Sequence, residues 1–260
     1  MRRVIERSLA LALAVSVLIF APAFRAQDTD EPTAREMLEA WAAMFEQKID
    51  DDYTIYVQFQ IAPDMQMLLV KAEGGRVEVI DGRSRIADML LVASEEILRD
   101  LWNDRMWALT AAGKARYTDE APLNWLMPSG VRASGASNAD ALFFAMHFFF
   151  RAEPEKILLG EEHARNVHGG LAIPITYDEG VRSAWYILKT GMQLNQPGDT
   201  NPFWQAFVVV EGRGVGMIAD KEVTLNAGEA YHIPPGAEHF VRNDNQEPLV
   251  LIWIAWGEGA

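Results

Sequence analysis

The order of apolar and polar residues divides the chain into a mixed first half and a strand-rich second half. Residues 33–50 carry apolar side chains at three- and four-residue spacing, which predicts an amphipathic helix with Asp30 or Thr33 as its cap. The apolar residues of this helix are Met37, Leu38, Trp41, Met44 and Phe45. We therefore expect the first half to begin with a helix that buries one face.

Strand-like runs follow this helix. The runs YTIYVQFQI, DMQMLLVKA and RVEVID are separated by turn residues, and the alternating Ile55, Val57, Phe59 and Ile61 would share one face of a sheet. A further run, ADMLLVA, leads into Ser94 and two glutamates, which together indicate the start of a second helix. This order of elements predicts an α+β fold.

An unusually apolar segment follows a small, polar stretch at 128–138 that has the composition of a linker. The segment DALFFAMHFFFRAEPEKILLG is apolar at nearly every position of its first half. Such a helix is either packed on all sides between other elements or covers an apolar ligand as a lid. The sequence leaves both alternatives open.

Beyond residue 170 the pattern changes to short strands with Gly and Pro turns. The runs are LAIPITYD, RSAWYILKT, FWQAFVVVEG, GVGMIADKEVTL, EAYHIPP, HFVRN and LVLIWIAW. Strands of this length and spacing predict an all-β sandwich or barrel. We place the α+β domain at 30–128, the linker and apolar helix at 129–168, and the all-β domain at 169–258.

The N-terminal stretch resembles a secretory signal peptide. Residues 1–26 contain three early arginines, an apolar run of about a dozen residues that is too short to span a bilayer, and small residues at Ala21 and Ala23. We expect a periplasmic or secreted protein without a transmembrane segment in the mature chain, although an uncleaved N-terminal anchor remains open. The chain contains no cysteine, so neither disulfides nor thiolate ligands are available.

The charge balance excludes nucleic acid as an expected partner. The whole chain has 37 acidic and 23 basic residues, and residues 1–26 hold four of the basic and one of the acidic ones, so the mature chain carries 36 against 19. A net charge of that sign repels phosphate backbones and anionic lipid headgroups. No acidic block stands out, so the acidity is typical of an ordinary solvated surface.

The first module resembles the sterol carrier protein family. The likeness covers roughly residues 33–120 and lies in the order of strands, an Ala-Asp before a hydrophobic strand, a helix opened by Ser-Glu-Glu, and a small-residue stretch ending in Gly-Lys. Membership would imply a sheet and helices around an apolar tunnel for lipids, acyl chains or sterols. The module is also rich in methionine, whose flexible thioether suits apolar ligands of varied shape. The candidate ligand-binding methionines are Met65, Met67, Met89 and Met106.

The second module resembles the cupin family, and one of the two family motifs is complete. Gly228, Pro234, Gly236, His239 and Asn243 stand at the spacing of the second motif, which implies a double-stranded β-helix barrel with His239 delivered into its mouth.

The first cupin motif is incomplete. In the family it supplies two histidines and a glutamate. Here the glutamate position holds Gln205, and the positions for the histidine pair, which fall between Pro197 and Asn201, hold no histidine.

The incomplete motif makes a metal site weak. A transition metal usually takes at least three imidazole, thiolate or carboxylate ligands, and the motif positions offer only His239 with Gln205 and Asp199. We therefore expect no cofactor, with a weakly held divalent ion such as iron, manganese, zinc or nickel as the alternative. Among the other histidines, His163 and His168 could fold across the mouth and donate, whereas His232 is expected to pack or face solvent.

The residues that replace the usual ligands predict a mostly apolar binding site. If Gln205 points into the barrel, strand alternation places Phe203, Phe207 and Val209 on the same interior face. Trp253 or Trp256 on the last strand would add a wall, and the sequence does not fix which of the two points inward. A cavity of this kind suits an apolar ligand held by a few polar contacts.

We therefore interpret the chain as an exported protein that binds or carries a hydrophobic small molecule, such as a lipid, an acyl chain or a sterol. The alternative is a cupin enzyme, an oxygenase, isomerase or lyase, in which His239 acts as acid–base group or metal ligand, assisted by Gln205 and Asp199. A homodimer formed through the barrel is compatible with either function.

Overall fold

The computed structural model describes residues 31–114, 118–127 and 134–260. The predicted signal peptide at 1–26 lies outside the described residues. Residues Pro32–Ala260 form one compact unit, within which the domain boundaries given above remain a prediction. Within the described residues, no helix has the length and apolar character needed to cross a membrane.

The N-terminal half contains a five-stranded mixed sheet. Its strands are β1 (Ile55–Ala62), β2 (Gln66–Glu73), β3 (Arg76–Asp81), β4 (Met89–Ser94) and β5 (Asn124–Leu126). They lie in the order β3-β2-β1-β4-β5, with β1 and β4 parallel and the other pairs antiparallel. The four alternating residues of β1 that were expected to share a face all belong to the buried core.

Four α-helices accompany this sheet in the described part of the chain. They are α1 (Ala34–Phe45), α2 (Glu95–Trp102), α3 (Ala108–Ala112) and α4 (Asn138–His147). Thr33 caps α1 in a capping box with Glu36, and the Ser94 hydroxyl caps α2, so local side-chain chemistry fixes both starts. The chain between α2 and α3 breaks the helix at Asp104, whose φ of 54° lies in the left-handed region.

The apolar segment at α4 is packed into the N-terminal core. Phe144 and Phe148 are fully buried and stack with ring centroids 4.4 Å apart. The Phe148 ring also meets Trp41, Phe45 and Phe59 at centroid distances of 5.7 to 6.2 Å. The structure thus favours the packed alternative, because these rings lie among side chains of α1 and β1.

The C-terminal half is a barrel of two facing sheets. Its strands are β6 (Arg165–Val167), β7 (Gly170–Asp178), β8 (Val181–Leu188), β9 (Gln193–Leu194), β10 (Trp204–Glu211), β11 (Arg213–Ile218), β12 (Lys221–Asn226), β13 (Ala230–Ile233), β14 (His239–Arg242) and β15 (Leu249–Trp256). One sheet has the order β13-β10-β15-β8-β7-β6 and the other β12-β11-β14-β9. Phe207, Val209, Val241 and Leu251 are buried between them, as alternation along each strand requires.

Gly212 and Asn243 have structural roles in this barrel. Gly212 has a φ of 79°, and a Cβ there would lie 2.1 Å from the Pro248 carbonyl oxygen, so the turn accepts only glycine. Asn243 is fully buried, and its Nδ2 donates to the carbonyls of Leu188 and Glu247 at 2.8 and 2.9 Å. Asn243 therefore joins two chain segments that would otherwise leave buried carbonyls without partners.

Arg165 connects the barrel to the N-terminal helices. Its Nη1 lies 2.9 Å from each of the carbonyl oxygens of Thr110, Ala111 and Gly113, at the C-terminal end of α3. Backbone N–H groups of Gly113 and Leu123 also donate to the first two of these carbonyls, and a guanidinium at this end of a helix is electrostatically favourable. Burial lowers the pKa of Arg165 below its ordinary value. The contact holds the end of α3 against the barrel, where both line the same cavity.

Candidate functional site

A cavity of about 930 Å³ lies between the barrel and the N-terminal elements. Six of its lining residues come from the N-terminal half: Leu109, Ala112, Gly113, Lys114, Trp125 and Leu142. Six more are residues that the sequence had predicted for the site: Asp199, Phe203, Gln205, Phe207, His239 and Trp253. The barrel site predicted from sequence is thus brought together on one cavity wall, and the first module closes the other side.

Strand register places the barrel residues in rows across the wall. Gln205 on β10 pairs with Ala255 on β15, which pairs in turn with Arg182 on β8. In the next row of the same face, Phe207 is opposite Trp253. Residues opposite each other in neighbouring strands project to the same side of the sheet. Gln205 and Arg182 therefore lie on the interior face of the sheet, with Ala255 between them.

The register also decides which tryptophan of the last strand faces inward. Trp253 lines the cavity, and its Nε1 donates to Oε1 of Gln205 at 2.8 Å. Trp256 pairs with Trp204 on the opposite face, where the two rings stack at 6.5 Å. The sequence had left these two residues as alternatives.

His239 begins β14 directly after the Pro-Gly turn. The structure places its backbone N–H 3.1 Å from the Asp199 carbonyl, and its Nδ1 3.1 Å from the Ala237 carbonyl. A carbonyl can only accept a hydrogen bond, so Nδ1 carries the proton and Nε2 is an acceptor. Burial lowers the pKa of His239, against smaller opposing effects of the Ala237 carbonyl and Asp199. The imidazole is therefore neutral at pH 7.

Asn201 connects His239 to Gln205. Its Nδ2 donates to His239 Nε2 at 3.2 Å and to Gln205 Oε1 at 3.0 Å, which uses both amide hydrogens. Together with the bond from Trp253, this fixes the orientation of the Gln205 side-chain amide. Gln205 is fully buried, and its Nε2 has no hydrogen-bond partner among the described residues.

These contacts do not fit a metal centre. The two ligand atoms that the sequence offered, Nε2 of His239 and Oε1 of Gln205, already accept hydrogen bonds from Asn201 and Trp253. Asp199 Oδ2 accepts the backbone N–H of Gln196 at 2.8 Å. Across the part of the chain that the structure describes, no three His, Cys, Asp or Glu side chains form a group that could hold a metal ion. An amide and one imidazole are weak donors for iron, manganese, zinc or nickel.

The other predicted residues lie in varied surroundings. Met89 is fully buried in the N-terminal core, Met65 is 54% exposed at the turn between β1 and β2, and Met67 and Met106 are partly buried. None of these four methionines lines the large cavity, although Met106 lines a much smaller one of about 20 Å³. Their role in ligand binding remains a prediction.

The histidines also lie in varied surroundings. His168 lines the large cavity, and burial lowers its pKa while Asp199 opposes the shift. His163 approaches the Arg105 carbonyl, His147 pairs with Glu155, and His232 packs against Trp256. Of the two histidines proposed to fold across the mouth, the structure therefore places only His168 at the cavity.

Sequence reasoning missed several lining residues, among them Arg182, Trp125 and Lys114. Arg182 could have been found, because it alternates with Ala184, Tyr186 and Leu188 along β8 and so belongs to the interior face. Trp125 and Lys114 carry no such signal, since their place at the cavity depends on how the two halves pack.

The geometry defines a class: a β-barrel with a large cavity, whose wall includes His239 and His168. Residues 192–255 match the family model described as the Cupin domain. The match covers the barrel strands from β9 to β15 and leaves out the N-terminal sheet, for which the likeness to the sterol carrier protein family remains a prediction. No curated protein matches the chain.

The chain is also similar to solved structures, three of which follow. A Cupin 2 conserved barrel domain protein from Salinispora arenicola is 17% identical over 41% of this chain and 91% of its own, with a TM-score of 0.36. The cupin domain of an XRE family transcriptional regulator from Enterobacter cloacae is 16% identical over 34% and 97%, with a TM-score of 0.31. A predicted oxalate decarboxylase from Thermotoga maritima is 19% identical over 29% and 64%, with a TM-score of 0.27.

Proposed function

We propose that this protein binds and carries a hydrophobic small molecule, of the lipid, acyl or sterol-like kind, in the cavity between the barrel and the first module. The observation that carries the proposal is the lining of that cavity. Its volume of about 930 Å³ is at the upper end of ordinary ligand sites. Aromatic and aliphatic side chains make up about half of the lining residues and form an apolar wall beside the polar side chains that supply most of the rest.

The place of action belongs to the same proposal. The charged and then apolar start of the chain supports export to the periplasm or outside the cell. A carrier needs no bound metal, which agrees with the hydrogen-bonded state of His239 and Gln205. The sterol-carrier-like character of the first module would add a second apolar site, and the packed rings of α4 would have to move to open it.

Ligand uptake tests the proposal directly. Protein isolated from the periplasm would be analysed by native mass spectrometry together with elemental analysis, and then titrated with a fluorescent acyl probe and a fluorescent sterol. We expect a displaceable organic mass without stoichiometric metal, and saturable uptake of at least one probe. Protein that carries no ligand and takes up neither probe would refute the proposal.

A pair of variants locates the uptake. Ala184 is small and lines the cavity beside Trp253, so Ala184→Trp should fill the space and abolish probe binding. Val210 is 45% exposed, and Val210→Trp adds the same ring outside the cavity. Unchanged binding in Ala184→Trp would place the ligand elsewhere, with the N-terminal methionines as the next candidates.

A second candidate function is catalysis by the barrel. The observation that favours it is the neutral imidazole of His239, which lines the cavity and whose Nε2 accepts a hydrogen bond from Asn201. Such a group can take a proton from a bound substrate. Incubation with small-molecule extracts, followed by mass spectrometry, should then show a compound that the wild type consumes and His239→Ala does not. Equal probe uptake by both proteins without any consumption supports the carrier.

We also propose that the barrel forms a homodimer through the outer face of β10, β15 and β8. Trp204 is 45% and Val181 is 39% exposed on this face, next to the partly exposed Trp256 and Ile254. A continuous apolar surface of this kind is typical of an interface. Light scattering after size-exclusion chromatography should give a dimer mass that Trp204→Glu halves. A monomer mass for the wild type would refute the dimer.

A further inference from the structure

Arg182 is a cation without a carboxylate partner on the wall of the cavity. Its Nε is buried and has no hydrogen-bond acceptor, and no described acidic side chain pairs with its guanidinium. The chain has 37 acidic and 23 basic residues, so acidic partners are plentiful elsewhere. A partly buried arginine normally pairs with an anion, because desolvation otherwise costs free energy. Arg182 therefore needs an anionic partner that the described residues do not supply.

Two aromatic rings hold this guanidinium in place. Arg182 Cζ lies 4.3 Å from the ring centroid of Tyr177 and 5.9 Å from that of Phe203, and all three residues line the cavity. Ring faces orient a guanidinium without neutralising its charge. The in-plane N–H donors remain free to bind an oxyanion. Among the described lining residues the other charged side chains are Lys114 and Asp199, so this part of the wall carries a net positive charge.

A second unpartnered donor lies deeper in the same cavity. Nε2 of Gln205 has no acceptor, while Oε1 of the same amide is occupied twice, so the amide cannot reverse without losing both bonds. On the opposite wall, Trp125 adds a third buried N–H, which has no partner among the residues that the structure describes. All three orphan groups are donors. Their natural complement is a ligand with oxygen acceptors, and at least one of these acceptors should be negatively charged.

The separation of the donors describes the ligand further. Arg182 on β8 and Gln205 on β10 both pair with Ala255 on β15, the strand between them. Their Cα atoms therefore lie two strand spacings apart, or about 9 to 10 Å. Tyr177 beside Arg182 is 40% exposed, whereas Gln205 is fully buried, so the charged end lies toward solvent. The aromatic wall between and around them accepts an apolar body.

We infer that the cavity binds an amphiphilic carboxylic acid, with its carboxylate on Arg182 and a second oxygen on Nε2 of Gln205. The inference rests on the proposed small-molecule binding and specifies the chemical class of the ligand. A carboxylate fits better than a phosphate, because the wall offers one planar guanidinium fork rather than a cluster of cations and backbone N–H groups.

The test compares head groups on one apolar chain. Calorimetric titrations of the wild type would use dodecanoic acid, methyl dodecanoate, dodecanol and dodecyl phosphate, each below its micelle concentration. We expect dodecanoic acid to bind about ten- to a hundredfold more tightly than the ester and the alcohol, as a charge-assisted pair implies. Tighter binding of dodecyl phosphate would overturn the carboxylate assignment.

Variants of Arg182 then assign the preference to its guanidinium. Arg182→Gln should bring the affinity for dodecanoic acid down to that for dodecanol, and Arg182→Lys should keep part of the preference. Arg213→Gln, on an exposed position of β11 outside the cavity, makes the same charge change and should have no effect. A preference that survives in Arg182→Gln would overturn the inference. Thermal unfolding checks that each variant is folded. If neither Arg182 variant folds, the comparison of head groups on the wild type still tests whether the cavity prefers a carboxylate.

The contact of the ligand with Gln205 is tested by comparing fatty acids that carry an additional hydroxyl group. Within a series of dodecanoic acids hydroxylated at different carbons, we expect at least one to bind more tightly than dodecanoic acid itself. Gln205→Glu keeps the accepting oxygen and replaces the free donor, so it should remove that gain. A series with no gain in the wild type would overturn the second contact.

The carrier function and the acid preference fail under different outcomes. If none of the dodecyl compounds and neither fluorescent probe binds, the proposed function fails. If dodecanol and dodecanoic acid bind equally well, the function stands and the acid assignment fails.

Discussion

Replacing Asn201 by aspartate should reverse the charge preference of His239. In the wild type the Asn201 amide donates to Nε2 of His239 at 3.2 Å, which favours the neutral imidazole. An aspartate at the same place cannot donate, and its carboxylate would face the Nε2 lone pair. The repulsion disappears if Nε2 takes up a proton. We therefore expect the pKa of His239, now lowered by burial, to rise above its ordinary value of about 6.5.

The size of the effect follows from the distance. Two unit charges about 4 Å apart attract by about 4 kcal/mol at an effective dielectric constant of 20, which corresponds to about three pH units. Desolvation of the new carboxylate and of the imidazolium offsets part of this gain. We expect a rise of at least about one pH unit. NMR titration of the histidine Cε1–H resonances measures it, with the His239 signal assigned from the spectrum of His239→Gln.

The contribution of His239 to the pH dependence of stability should change sign when its pKa is raised. In the wild type, the folded pKa of His239 lies below that of the unfolded chain, so its contribution to the free energy of unfolding is complete above about pH 6.5. That contribution falls as the pH drops toward the folded pKa, and His168 acts in the same direction. In Asn201→Asp, the contribution of His239 should be complete below about pH 6.5 and be lost as the pH rises through the raised value.

Urea unfolding at pH 5.5 and 8 measures this difference. Asn166→Asp, at an exposed position of β6, makes the same charge change away from the site and serves as control. If the pKa of His239 in Asn201→Asp stays below about 6.5, residue 201 does not face Nε2, and the hydrogen bonds that join His239, Asn201 and Gln205 are wrong.

Two further predictions concern the metal site and the core. Asn201 lies within hydrogen-bond distance of both His239 and Gln205, so the double variant Asn201→His with Gln205→Glu should bring two imidazoles and a carboxylate together as a zinc site. Stoichiometric zinc by elemental analysis would support this prediction. A double variant that stays free of zinc at micromolar zinc concentrations would contradict it. Phe148→Ala should lower the free energy of unfolding by about 3 to 5 kcal/mol, since its fully buried ring meets several others. Ile86→Ala, at a residue that is 51% exposed, should change it by less than about 0.5 kcal/mol, and equal losses would contradict the packing of α4.

Local patterns were enough to determine many elements of this protein. The longer strands of both halves follow from their apolar runs, whereas the short strands β5, β6 and β9 were not predicted. The starts of α1 and α2 follow from the caps Thr33 and Ser94. The inward set of Phe203, Gln205 and Phe207 was also predictable. A period of two or 3.6 residues, a cap or a glycine turn is a property of neighbouring residues, and neighbouring residues are what a sequence displays directly.

Contacts between distant segments required the tertiary structure. The choice of Trp253 over Trp256 depends on strand register, and the orientation of the Gln205 amide depends on Asn201 and Trp253 together. The meeting of Trp125 with Arg182 across one cavity depends on the packing of the two halves. In each case the energy of a side chain is set by partners far away in sequence, so the three-dimensional arrangement had to be known before the unpaired donors of the cavity could be recognised.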